Sequence, residues 1–182
     1  MNNSQLINQT SNETEWYTPW KIILAVKTLM GSIDLDPFSC EAANNRPEGK
    51  LAHQYFDIEA NGLEKNWFGN VWSNHPFGRE HNEACVSKIC FEYVRRDRLM
   101  KQACCITFAS TSEKWFAPLM RYPQFFFTGR VQYLDGLGLK EIKGVPKGSV
   151  ITFFPPEGVA YGEATTLLRR TFELHGFKGV AK

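Results

Sequence analysis

The sequence predicts an α/β fold built on a mixed sheet. Three observations carry that expectation. The continuous apolar run Ala103-Cys104-Cys105-Ile106-Thr107-Phe108-Ala109 has the length of a strand buried on both faces. Segments with helical spacing alternate with strand-like segments up to about residue 120. Two further strand-like segments, 124–133 and 149–154, then follow with little helix between them, which places an antiparallel excursion late in the sheet.

Taken in order, the polar, Asn-rich residues 1–13 read as a flexible tail ahead of one domain spanning 14–182. The first helix is expected at Thr18-Pro19, with Thr18 as N-cap and Pro19 at the first helical position, running through Met30 to a stop at Gly31. Ile33-Asp34-Leu35-Asp36 reads as a short strand ended by Pro37, and Val71-Trp72-Ser73 as a second. A long helix over roughly 80–98 is expected from the apolar side formed by Ala84, Cys85, Val86, Ile89, Tyr93 and Val94, with Arg95-Arg96-Asp97-Arg98 as a solvated charged end. Ser112 is positioned to cap a helix over 113–120. The turn Asp135-Gly136 follows the strand 124–133, and a last helix over 163–175 ends at Gly176.

Composition bounds the function. A chain of 182 residues, 43% hydrophobic and 14% aromatic, can bury a substantial core. Its net charge of +2 does not by itself argue for nucleic acid, although it leaves room for a locally basic face. The sequence has no apolar run of the roughly 18 residues that a membrane helix needs, and its amino terminus lacks signal-peptide character, so a cytoplasmic protein is expected. The five cysteines are odd in number, form no Cys-x-x-Cys pair and include the adjacent Cys104 and Cys105, which points to reduced thiols rather than disulfides or a zinc site.

The segment that carries chemistry is Asn74-His75-Pro76-Phe77, directly after the second strand. It differs at one position from the Asn-Pro-Pro-Phe/Tyr tetrapeptide with which amino-methyltransferases grip an exocyclic base nitrogen. It follows Trp16-Tyr17-Thr18-Pro19 and Asp34-Leu35-Asp36-Pro37-Phe38-Ser39-Cys40, and precedes Thr128-Gly129-Arg130-Val131 and Gly148-Ser149-Val150-Ile151. In that order and spacing, over about residues 15–155, the chain resembles the small phage-type DNA N6-adenine methyltransferases of the Dam type.

The resemblance implies a Rossmann-like class I methyltransferase sandwich, S-adenosylmethionine as methyl donor and adenine in DNA as acceptor; the biological role, whether restriction-modification, regulation or another, stays open. It places Tyr17, Thr18 and Pro19 beside the methionine part of the donor, and Asp36, Pro37 and Phe38 in the turn after the first strand. Asn61 would meet the donor's adenine ring, with Asp57 and Glu59 as further candidates nearby. Many methyltransferases carry glycines after that Asp-Pro, where this chain has Ser39 and Cys40.

At the tetrapeptide, Asn74 would supply one acceptor to the amino group and the main-chain carbonyl of His75 the other, while Phe77 would stack on a flipped-out base. No metal is needed. His75 stands where proline is expected; the carbonyl survives, but the fixed φ is lost, and Pro76 partly compensates by holding residue 75 extended. Its imidazole is open to two readings: tolerated variation, or a group that touches DNA or assists proton removal. Arg79 and Arg130 are the candidate DNA contacts. Two alternatives stay open on sequence grounds: N4 of cytosine as acceptor, and a relative that binds DNA or S-adenosylmethionine without turnover.

Overall fold

The computed structural model describes residues 16–77, 79–135 and 140–182, with backbone only at Arg79 and Glu80. The tail expected over 1–13 and Gly136 of the expected turn lie outside these residues.

The sheet follows from buried apolar runs. Strands β1 (Leu35–Asp36), β4 (Gln54–Tyr55), β5 (Gly69–Ser73), β6 (Met100–Phe108), β7 (Gln124–Phe127), β8 (Ser149–Phe154) and β9 (Gly179–Ala181) form a seven-stranded sheet of order β4-β1-β5-β6-β8-β7-β9. A short helix, α2 (Glu41–Asn44), leads into a separate hairpin that pairs β2 (Asn45–Arg46) with β3 (Gly49–Lys50). β4, β1, β5 and β6 are parallel neighbours; β8 runs antiparallel to both β6 and β7, and β9 antiparallel to β7. The mixed sheet is therefore as expected, with β8 inserted between β6 and β7 as the late reversed strand and β9 as an edge strand that the sequence reading did not contain.

Alternation of side chains divides the core in two. Trp72, Cys104, Ile106, Ile151 and Phe153 meet helix α1 (Trp20–Met30) and helix α4 (Tyr161–Leu174) on one face, through Ile22, Val26, Leu168 and Phe172. Val71, Ala103, Cys105, Val150 and Phe154 meet helix α3 (Arg79–Val94) on the other, through Val86 and Ile89. This is the helix–sheet–helix sandwich that the Rossmann-like expectation describes. All five cysteines are free thiols.

Several boundaries move. Helix α1 begins at Trp20, with Pro19 at the N-cap position (ψ 137°) and no side-chain cap, so Thr18 does not cap it. Gly31 (φ 84°) ends the helix as expected, its N–H donating to Lys27 O at 2.8 Å. Helix α3 stops at Val94, where Arg95 turns back to pair with Asp97 and Glu92. The helix expected over 113–120 is a series of turns followed by a 3-10 segment, Ala117–Arg121, because Pro118 denies the chain a longer helical run. Strand β7 ends at Phe127, and Gly129 (φ 94°) bends the chain away before Tyr133 and Leu134.

Candidate active site

In an open α/β sheet, ligands bind outside the carboxyl ends of the strands where the order of strands reverses. Here the reversal falls between β1 and β5, which pair in parallel at Leu35 and Val71. Asp36 at the end of β1 and Asn74 after β5 therefore emerge side by side. A cavity of about 510 Å³, of ordinary ligand-site size, opens at this edge, and its lining includes Thr18, Asp36, Phe38, Asn61, Asn74 and His75.

The cavity collects unused hydrogen-bonding capacity. Buried side-chain polar atoms with no hydrogen-bond partner among the described residues include Thr18 Oγ1 and Asn74 Oδ1, both of lining residues. Each such atom costs about 1–3 kcal/mol when nothing pairs with it, so a polar ligand is the natural partner. The residues present fit a donor with polar groups along its length.

Asn74 is oriented by Trp16. Its Nδ2 donates to the Trp16 main-chain carbonyl at 2.7 Å. A carbonyl can only accept, so the amide nitrogen must face it, and Oδ1 is the atom left over. The Trp16 strap is itself tied down, since Tyr17 and Leu134 exchange two main-chain hydrogen bonds of 2.9 Å. Tyr17 Oη lies 3.2 Å from Cys40 Sγ across the cavity wall.

His75 is 2% exposed, and its Nε2–H donates to Oδ1 of Asn82 on α3 at 2.9 Å. Burial pushes its pKa down to about 4, against the pull of the Asn82 bond, and the ring is neutral near pH 7. The imidazole is thus held within the protein by Asn82 while His75 contributes to the cavity lining. Phe77 lies among aromatic side chains. Its ring stacks on Phe108 (4.6 Å, 27°) and meets Trp16 and Tyr133, half-buried in an aromatic cluster and outside the cavity lining.

Asp36 is 3% exposed and accepts from the Phe38 N–H at 3.1 Å. Burial raises its pKa to about 7, and the Phe38 bond, a Ser39 side-chain bond and the Arg46 charge oppose that rise. Asn61 adopts φ 51°, the left-handed region that a non-glycine residue seldom occupies. Its neighbour Gly62 lies so close to the turn after β1 that a Cβ there would overlap the Pro37 carbonyl oxygen. Only glycine permits that approach.

Pro19, Glu59 and Arg130 lie outside the lining, whereas Asp57 contributes to it while accepting from the Ala60 N–H at 2.8 Å. Arg130 is exposed, with Nη2 donating to the Pro146 carbonyl at 3.4 Å. Arg79 begins α3, and its side chain lies outside the described residues. Arg95 and Arg98 sit just before the amino end of β6, at the opposite edge of the sheet, and pair with Glu92, Asp97 and Glu157. Sequence reasoning missed the Trp16 carbonyl, Asn82 and Arg46. No periodicity or motif marks them, and only the fold brings Trp16 and Arg46 to the cavity and Asn82 to His75.

Among the described residues no group of three His, Cys, Asp or Glu side chains could hold a metal ion, and no helix is long and apolar enough to cross a membrane. No curated protein and no solved structure matches the chain. A family model described as DNA N-6-adenine-methyltransferase (Dam) matches residues 5–176, and the chain belongs to that family.

Proposed function

We propose that this protein methylates the N6 amino group of adenine in DNA, with S-adenosylmethionine as the methyl donor. The observation that carries the reading is the buried, unpartnered Asn74 Oδ1 at the carboxyl end of β5. The amino group of adenine has a lone pair delocalised into the ring. Two acceptors in fixed positions would orient its hydrogens and favour the tetrahedral nitrogen that develops during transfer. Asn74 Oδ1 is one, and the His75 main-chain carbonyl is the other. Trp16 holds the first in place and Asn82 the second, the latter through the His75 ring. Phe77, fixed on Phe108, offers its accessible part to a base flipped out of the duplex.

When bound, S-adenosylmethionine supplies an electrophilic methyl group. Thr18, Asp36, Ser39 and Asn61 are the residues that would hold it, with Tyr17, Pro37 and Phe38 completing the wall. Asp36 is acidic and the donor carries a sulfonium, so ionised Asp36 favours binding. Arg79 and Arg130 serve the phosphate backbone or base edges.

The test is transfer of labelled methyl groups from the donor to DNA by the parent and by Asn74→Ala, followed by nucleoside analysis. Removing one aligned acceptor should lower turnover by roughly 10²–10³-fold, with folding intact. Label on N6 of adenine supports the reading, and label on N4 of cytosine replaces the acceptor. Undiminished labelling by Asn74→Ala removes Asn74 from the mechanism.

A further inference from the structure

Arg46 lies on the β2–β3 hairpin and lines the same cavity. Its Nε donates to the Ala43 carbonyl at 3.0 Å and its Nη1 to the Thr18 carbonyl at 2.6 Å. The guanidinium also lies over the Tyr17 ring, 5.3 Å from its centroid. Two backbone bonds and an aromatic face fix the plane of the fork in advance. None of the ion pairs among the described residues includes Arg46, and Nη2 makes no hydrogen bond there.

A partly buried guanidinium keeps its charge and loses hydration, an unfavourable state unless an anion joins it. Burial accordingly lowers its pKa, while Glu48 and Asp36 act on it only at longer range. Asp36 forms no ion pair with it, and the two charges act on each other without direct contact. The site therefore presents a rigid positive fork without an ion-pair partner beside Thr18, in the cavity rather than on the exposed surface that carries Arg130.

We infer that Arg46 receives the carboxylate of the amino-acid part of the donor, through the Nη2 side of its guanidinium. This rests on the reading of the cavity as a donor site. The planar fork matches a carboxylate in geometry as well as in charge. It also explains why Arg46 is anchored to Thr18: one bond positions the fork relative to the segment that forms the cavity wall.

The experiment compares S-adenosylmethionine with its decarboxylated analogue by calorimetry, without DNA, for the parent and for Arg46→Gln. The parent should prefer the carboxylate-bearing ligand by about tenfold or more, the effect of a hydrogen bond to a charged group. Arg46→Gln should weaken S-adenosylmethionine binding and bring that preference close to unity. Thermal melting checks that the variant folds; if it does not, Arg46→Lys replaces it and should show a reduced preference. A preference that survives intact in the variant overturns the assignment. So does equal binding of both ligands by the parent, with the donor reading left standing. So does a variant that loses only affinity for a DNA duplex, which would make Arg46 a phosphate contact. If the parent binds neither ligand, the donor reading falls together with this one.

Discussion

His75 and Asn82 are joined by a buried hydrogen bond of 2.9 Å that ties the turn after β5 to helix α3. Proline at position 75 would fix φ covalently. Here a side-chain bond restrains the same residue, whose carbonyl is one of the two proposed acceptors. Replacing Asn82 by Ala should lower turnover by roughly 10–100-fold through misplacement of that carbonyl, while donor affinity holds. Adding His75→Pro to Asn82→Ala should return much of the loss, because the restraint is rebuilt within the backbone. Steady-state methylation assays on the three variants check this. Full activity in Asn82→Ala would show that the turn needs no tether.

The approach of Gly62 to Pro37 makes a second prediction. A Cβ at position 62 meets the Pro37 carbonyl, part of the backbone, so the overlap cannot be relieved by a side-chain rotation. Gly62→Ala should push the segment carrying Asn61 away from the turn after β1. The expected cost is about 1–3 kcal/mol of stability, read as a shift in the denaturant midpoint, together with weaker donor binding. A variant that matches the parent in both measurements would remove this close approach from the architecture of the site.

The parts legible in the sequence are those with local causes. The apolar run of β6, the Gly31 stop and the segments ending in Asp36-Pro37 and Asn74 each carry their signal within a few residues. Their meeting at one sheet edge follows from strand order, and strand order depends on pairings between residues far apart in the chain. The same limit hid β4, β9 and the β2–β3 hairpin, whose two- and three-residue strands have no pattern of their own. Phe77 shows a further limit. Its aromatic character is plain in the sequence, but its stacking partner Phe108 lies on a different strand.

Arg130 is exposed and makes only a long bond to the Pro146 carbonyl, so little holds it for structural reasons. As a phosphate contact, its replacement by Ala should weaken duplex binding across sequences and reduce the salt slope by about one. Donor affinity should be unchanged, since Arg130 is not in the cavity lining. Fluorescence anisotropy over a salt series, with calorimetry for the donor, measures both. An unchanged salt slope would leave Arg130 off the DNA path.

Asp36 and His75 oppose each other in the dependence of stability on pH. Burial raises Asp36 from 3.8 to about 7, so between those values the folded state holds more protons than the unfolded chain. Its contribution is complete below about pH 4 and is lost as pH rises through 7. Burial lowers His75 from 6.5 to about 4, so its contribution is present above pH 6.5 and is lost as pH falls through 4. The total change is at most about 4 kcal/mol for Asp36 and about 3 kcal/mol for His75, and over pH 4–6.5 the two largely cancel. Asp36→Asn removes one of them. The variant should equal the parent near pH 3.5, apart from a constant offset, and gain on it steadily up to pH 7. Above that the advantage should level off. Denaturant unfolding of both proteins from pH 3.5 to 8 makes the comparison, and the difference between the curves isolates Asp36 from the other carboxylates. Parallel curves throughout would mean that this carboxyl titrates alike in the folded and unfolded chain.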